Sequence, residues 1–291
     1  MSKRVPGVVV VGSLHYDIMV AAPHRPAAGE TVQGDCWYPK FGGKGGNQAV
    51  AAAKAGVPVR MLGAVGDDAF GAFLRDFLRQ GDVDDTHVAT LPGRASGMSV
   101  AISDATGDYG AVIVSGTNLE IDPARLDDDN LWAGVAMLVL QNEVNEGMNI
   151  AAARAARARG VRVCLNAAPY RPLSSELTDG IDVLIVNAIE AEALSGGIGV
   201  ENISGAEAAA RKLSESFPVA VVTAGGDGVA VAQRNGESFT LPAEKITLVS
   251  THGAGDVFTG AFVAALVSDL PLAEAVSRAN GTAARHVAGL T

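Results

Sequence analysis

The sequence of 291 residues has only two cysteines, Cys36 and Cys164, which excludes a disulfide framework and a cysteine-based metal cluster. Cys164 lies inside an apolar, strand-like run, and both thiols are expected to be reduced and structural. Basic charge is also scarce: 22 lysines and arginines face 32 aspartates and glutamates, a formal net charge of −10, with no basic tract. That balance argues against a nucleic-acid partner, because phosphate backbones select basic faces. No apolar run reaches the length of a membrane span; residues 5–12 lead into Gly12-Ser13 rather than a signal-cleavage pattern, so the expectation is a cytoplasmic protein without a membrane partner. The five histidines, His15, His24, His87, His252 and His286, lack metal-ligand spacing. Neither G-x-G-x-x-G after the first apolar run nor G-x-x-x-x-G-K-[ST] anywhere is found, which disfavours a dinucleotide-dependent dehydrogenase and a Walker-type ATPase. Long linkers, low-complexity tracts and internal repeats are lacking too.

What is present is a rhythm of short apolar runs and Ala-rich helical stretches. Runs at 8–11 and 60–65 precede helices predicted at 47–55 and 69–78. Later runs at 137–140, 161–165, 183–186 and 219–223 alternate with helices near 149–158, 190–194 and 206–214. This pattern predicts an α/β fold: a mostly parallel sheet covered by helices on both faces, a three-layer sandwich. Residues 14–40 and 96–115 break the rhythm and look like hairpins, the second built on runs at 98–103 and 110–114 around the turn-rich Asp104-Ala-Thr-Gly-Asp108. They are read as a small β lid, leaving residues 1–13, 41–95 and 116–291 as the α/β core.

Two glycine-rich segments carry the chemistry. In Ser250-Thr-His-Gly-Ala-Gly-Asp256, the small residues Gly253, Ala254 and Gly255 allow backbone N–H groups to converge on an anion at a helix N-terminus, with Asp256 placed to accept a proton from an attacking hydroxyl. The plain alternative is a helix start with a favourable first-turn acid. In Gly42-Gly-Lys-Gly-Gly-Asn-Gln-Ala49, the glycines leave room for a polyhydroxylated ligand, with Lys44 and Asn47 as donors; the alternative is a glycine turn into a close-packed helix. Ligands of open α/β sheets bind beyond the strand carboxyl ends, where Asp17, Glu143, Asn166, Asn187 with Glu190, and Thr223-Ala-Gly-Gly226 each follow an apolar run. Asn187-Ala-Ile-Glu190 has capping-box spacing, and the same pair could hold water around Mg2+.

These segments, in order with Val11-Gly-Ser-Leu-His-Tyr-Asp17, Gly29-Glu-Thr31, Val65-Gly-Asp-Asp-Ala-Phe-Gly71, Gln141-Asn-Glu143 and Asn166-Ala-Ala-Pro169, resemble the ribokinase-like (PfkB) carbohydrate kinases over nearly the whole chain, the ribokinase branch most of all. The resemblance implies transfer of the ATP γ-phosphoryl to a sugar hydroxyl, with Mg2+, and a homodimer through the lid. It matches Asp256 to the catalytic base, Gly253, Ala254 and Gly255 to the anion hole, and Asp17, Gly43, Lys44, Asn47 and Glu143 to sugar-binding positions. Asn187 and Glu190 match the nucleotide–magnesium motif, Glu190 acting on the ion through water, and Thr223, Gly225 and Gly228 fall where the adenine nucleotide lies. The sequence departs from the family at three places. Ser250 stands where an acid helps hold a monovalent cation, which implies weak potassium dependence. His15 stands where ribokinases usually have Asn. The sequence also stops at Thr291, short of a Gly/Ala-Gln-Pro-Ser stretch that commonly closes the nucleotide site.

Overall fold

In the five-residue strand Gly7–Val11, alternate side chains enter opposite cores, as a strand buried on both faces requires. Val8 and Val10 join one apolar cluster and Val9 and Val11 the other. The computed structural model describes residues 5–104, 109–234 and 236–290. Across the main sheet the strands are Ser238–Leu241, Val229–Gln233, Val219–Thr223, Val183–Asn187, Arg162–Asn166, Val135–Gln141, Gly7–Val11, Val59–Gly66 and Val83–Asp84, with Val88–Leu91 also paired to Val59–Gly66. All pairings are parallel except the two that add Val229–Gln233 and Ser238–Leu241 at one edge. Helices Lys44–Lys54, Ala69–Gln80, Ala254–Val267 and Leu272–Val287 cover the first core. Helices Glu146–Ala158, Ala188–Leu194 and Ile203–Leu213 cover the second. Among the described residues no helix is long and apolar enough to cross a membrane.

The two expected hairpins join into one four-stranded second sheet. His15–Ala21 pairs antiparallel with Cys36–Gly42, and Met98–Ser103 antiparallel with Tyr109–Val114. A parallel ladder from Tyr16↔Met98 to Ala21↔Ser103 links them. Residues 105–108 of the expected turn lie outside the described residues. Cys36 is exposed on its strand, so the expectation of two structural thiols holds for buried Cys164 alone; burial pushes the Cys164 thiol up to about 12.

Helix Ala254–Val267 is buried on nearly every side, as a helix apolar all round should be. It packs closely against helix Lys44–Lys54. A Cβ at Gly260 would lie 2.5 Å from Ala51 Cβ and 2.7 Å from both Ala52 N and Gln48 O. Only glycine permits that approach. Gly260→Val is therefore expected to lower the unfolding free energy by about 1–3 kcal/mol through overpacking. Denaturant unfolding checks this, and unchanged stability would show that the two helices have room to separate.

Candidate active site

The strand Cys36–Gly42 enters helix Lys44–Lys54 through Gly43, whose φ of 86° is a conformation glycine tolerates. A Cβ at Gly43 would sit 2.8 Å from Ser13 O, Leu14 Cα and His15 N, and one at Gly42 only 2.0 Å from Asp17 Oδ2. These two glycines thus admit other parts of the protein, as a close-packed glycine turn into a helix does. Their closeness has a chemical result. The helix's first backbone amide, Lys44 N, donates to Glu143 Oε2 at 2.8 Å, and Ser13 Oγ donates to the same oxygen at 2.5 Å. His15 is buried with Nδ1 3.9 Å from that oxygen.

Asp17 reaches this cluster from the second sheet. It lies inside strand His15–Ala21 rather than beyond a strand end, which corrects its expected position. Ser99 Oγ donates to Asp17 Oδ1 at 2.5 Å, and Lys40 is its cross-strand partner. Burial holds the Lys40 ammonium below its usual range, with Asp17 opposing the shift.

Helix Ala254–Val267 begins at Gly253, which is left-handed at φ 78°, and Asp256 is buried in its first turn. Asn47 Nδ2 donates to Asp256 Oδ2 at 3.3 Å and Gln48 Nε2 to Oδ1 at 2.9 Å. The same Gln48 nitrogen donates to Asn166 Oδ1 at 3.0 Å, tying the carboxylate to the end of strand Arg162–Asn166. Burial raises the Asp256 pKa above the ordinary carboxylate value, Glu143 adds to the rise, and Lys44, Gln48 and Asn47 oppose it. A carboxylate so held is a better proton acceptor than a solvated one. The space beside Gly255 is open, with no atom within 4 Å of a Cβ built there.

Ala254 and Gly255 line a cleft of about 790 Å3. Thr223, Gly225 and Gly228 line it, and Gly228 is fixed by the fold, since a Cβ there would be 2.0 Å from Leu241 O. Asn187 and Glu190 form a reciprocal capping box: Glu190 N donates to Asn187 Oδ1 at 3.0 Å and Asn187 N to Glu190 Oε2 at 2.9 Å. Glu190 is buried and its pKa is raised, first by burial, with Lys44 opposing and Asp256 adding. Its other oxygen, Oε1, takes no part in the two bonds of the box. One available oxygen suits an ion that keeps most of its water, such as Mg2+, and the described residues include no three-residue acid, His or Cys cluster that would cage a bare ion. Ser250 Oγ accepts from His252 N at 3.2 Å, and Ser250 N donates to Val287 O at 3.1 Å.

Residues 5–288 match the family described as pfkB family carbohydrate kinase. The chain belongs to that family. It is 31% identical over 282 residues to the ribokinase of Haemophilus influenzae, covering 96% of this chain and 92% of that protein. It is 30% identical over 285 residues to the deoxyribokinase of Salmonella typhi, covering 97% and 92%. The solved Arabidopsis thaliana ribokinase, complexed with ribose and ATP, superposes with a TM-score of 0.89 at 29% identity, covering 97% of this chain and 93% of that one.

In this carbohydrate kinase, the sequence reading missed several contributors. Gln48 and Ser13 stand inside motifs it quoted, but only the fold shows that one grips Asp256 and the other Glu143. The segment 242–246 and the helix residues Asn280, Ala283 and Val287 also line the larger cleft, and Asn280 Nδ2 donates to Pro242 O at 2.9 Å. Asp256→Asn should lower kcat by about 10²–10⁴-fold with folding intact. Gln48→Leu removes a hydrogen bond that favours the charged carboxylate, so the Asp256 pKa should rise further. Activity is lost as pH falls through that pKa, so the acid limb of the kcat/KM profile should move to higher pH, with turnover down about tenfold or more. An unmoved acid limb would contradict the grip.

Proposed function

We propose that the protein transfers the γ-phosphoryl group of ATP to a hydroxyl of a small unphosphorylated sugar, a pentose such as ribose. The observation that carries this reading is buried Asp256, held by Asn47 and Gln48 and directly following Ala254 and Gly255, which line the larger cleft. The names of the relatives, two sugar kinases of the pentose class and a complex with ribose and ATP, support it. ATP as donor makes the cytoplasm the expected location.

The sugar would sit against Glu143, Asp17, Lys44, Gly43 and Asn47, with its reacting hydroxyl at Asp256. That oxygen attacks the γ-phosphorus, the bond from this phosphorus to the bridging oxygen of ADP breaks, and the hydroxyl proton passes to Asp256. The N–H groups of residues 253–255 face the phosphoryl oxygens, where a helix N-terminus favours negative charge. Mg2+, when bound with the nucleotide, neutralises charge on its phosphates; Glu190 would hold its water shell. Thr223, Gly225 and Gly228 would lie along the adenine nucleotide. The exposed Trp37, Tyr38, Val112 and Ile113 of the second sheet favour a homodimer through that sheet, which sedimentation of the purified protein reads directly.

A different acceptor in the same family, a nucleoside or a phosphosugar, is the second reading, motivated by buried His15, whose Nε2 has no hydrogen-bond partner among the described residues. ADP release measured over pentoses, hexoses, phosphosugars and nucleosides separates them. Ribose or another pentose should give the highest kcat/KM, and Glu143→Ala should raise the sugar KM about tenfold or more with little change for ATP. Nucleotide binding without turnover on any sugar would instead favour a binding protein that has lost the rate.

Ser250 supplies no carboxylate to its loop, so replacing potassium by a bulky organic cation at constant ionic strength should change the rate little. Saturable activation of several-fold by potassium would contradict this.

A further inference from the structure

A second cavity, of about 550 Å3, lies between helices Lys44–Lys54 and Leu272–Val287; Asn47 and Gly253 border the site described above at one end of it, and the remainder of its lining has no role there. Both helices meet the catalytic loop at one end: Asn47, in the first turn of one, donates to Asp256, and His286, in the last turn of the other, bonds His252 O at 3.0 Å. They therefore run in opposite directions, with the cavity as the groove between them.

The lining includes Lys40, Lys54, Arg278 and Arg285, with His252 and His286, and no aspartate or glutamate. In a chain of net charge −10, such a surface is unexpected. Lys54 and Arg285 lie in last helical turns, where the dipole favours cations, but Arg278 is two turns earlier and Lys40 is on a strand, so the dipole does not account for the set. Arg278 and Arg285 are seven residues apart on one helix face, with Thr282 between them; Asn47, Val50 and Lys54 repeat that spacing on the facing helix. Lys54, Arg278 and Arg285 have no ion-pair partner among the described residues. Burial, then the field of Lys40, lowers the His252 pKa, consistent with local positive potential. The groove also has an apolar part: Phe41 stacks on Phe77 with centroids 4.3 Å apart, beside Val50 and Val257.

We propose that this groove binds a phosphate monoester of a small organic molecule, the dianion held by Lys54, Arg278 and Arg285 and the organic body lying over Phe41, Phe77 and Val50. Guanidinium groups suit phosphate oxygens bidentately. The volume falls within the range of small-molecule pockets and exceeds what inorganic phosphate alone needs.

Calorimetric titration of the full chain with phenyl phosphate, and separately with inorganic phosphate, tests this. Phenyl phosphate should bind saturably and about tenfold or more tightly than inorganic phosphate. The double variant Lys54→Ala, Arg278→Ala should lose about tenfold or more of that affinity, while its thermal unfolding and its KM values for sugar and ATP stay unchanged. Absence of saturable binding, equal affinity for the two probes, wild-type affinity in the double variant, or displacement of phenyl phosphate by ATP would each overturn the assignment.

Discussion

The close approach of two helices at Gly260 is the constraint on which the site depends. A hydrogen atom in place of a side chain lets helix Ala254–Val267 touch the backbone of Lys44–Lys54, and that contact brings together two glycine-rich segments about two hundred residues apart in sequence. Asn47 and Gln48, one turn before the contact on one helix, reach Asp256, one turn before it on the other. A wider separation would take the two amide donors away from the carboxylate and leave a buried acid without partners, which is costly.

The electrostatics follow from that geometry. Burial drives the Asp256 pKa up, and the hydrogen bonds from Gln48 and Asn47 with the charge of Lys44 restrain the rise. The same lysine opposes the rise at Glu190, so one cation serves two buried acids. Glu143 is engaged differently: Ser13 and the Lys44 amide fix one of its oxygens through neutral donors. A negative cluster with few cations is suited to binding hydroxyls on one side. The glycine-started helix N-terminus faces an open space where an anion is favoured.

Much of this was legible in the sequence. The apolar runs marked the parallel strands because both faces of the main sheet are buried, and the capping-box spacing of Asn187 and Glu190 is realised in both of its bonds. Asp256 and Asn47 stood out as polar groups inside glycine-rich segments, and Glu143 as an acid directly after an apolar run. Other parts were hidden. Helix Leu272–Val287 follows another helix with no strand between, outside the strand–helix alternation, and it carries one wall of the larger cleft. The edge strands Val229–Gln233 and Ser238–Leu241 are short and antiparallel, outside the repeating pattern. Asp17 reads as a strand-end residue until the parallel pairing of two hairpins places it inside a second sheet, and Gln48 acts only across a tertiary contact.

The central physical claim is that close helix packing buries Asp256 as a carboxylate with raised proton affinity. Carbon-13 NMR titration of the aspartate side-chain carboxyls, with Asp256 assigned by the loss of its signal in Asp256→Asn, measures this directly. One carboxyl titrating clearly above the ordinary aspartate value of about 3.9 is expected at that position. A signal for Asp256 that titrates at or below that value would show that the carboxylate is solvated, and would contradict the packing as its cause.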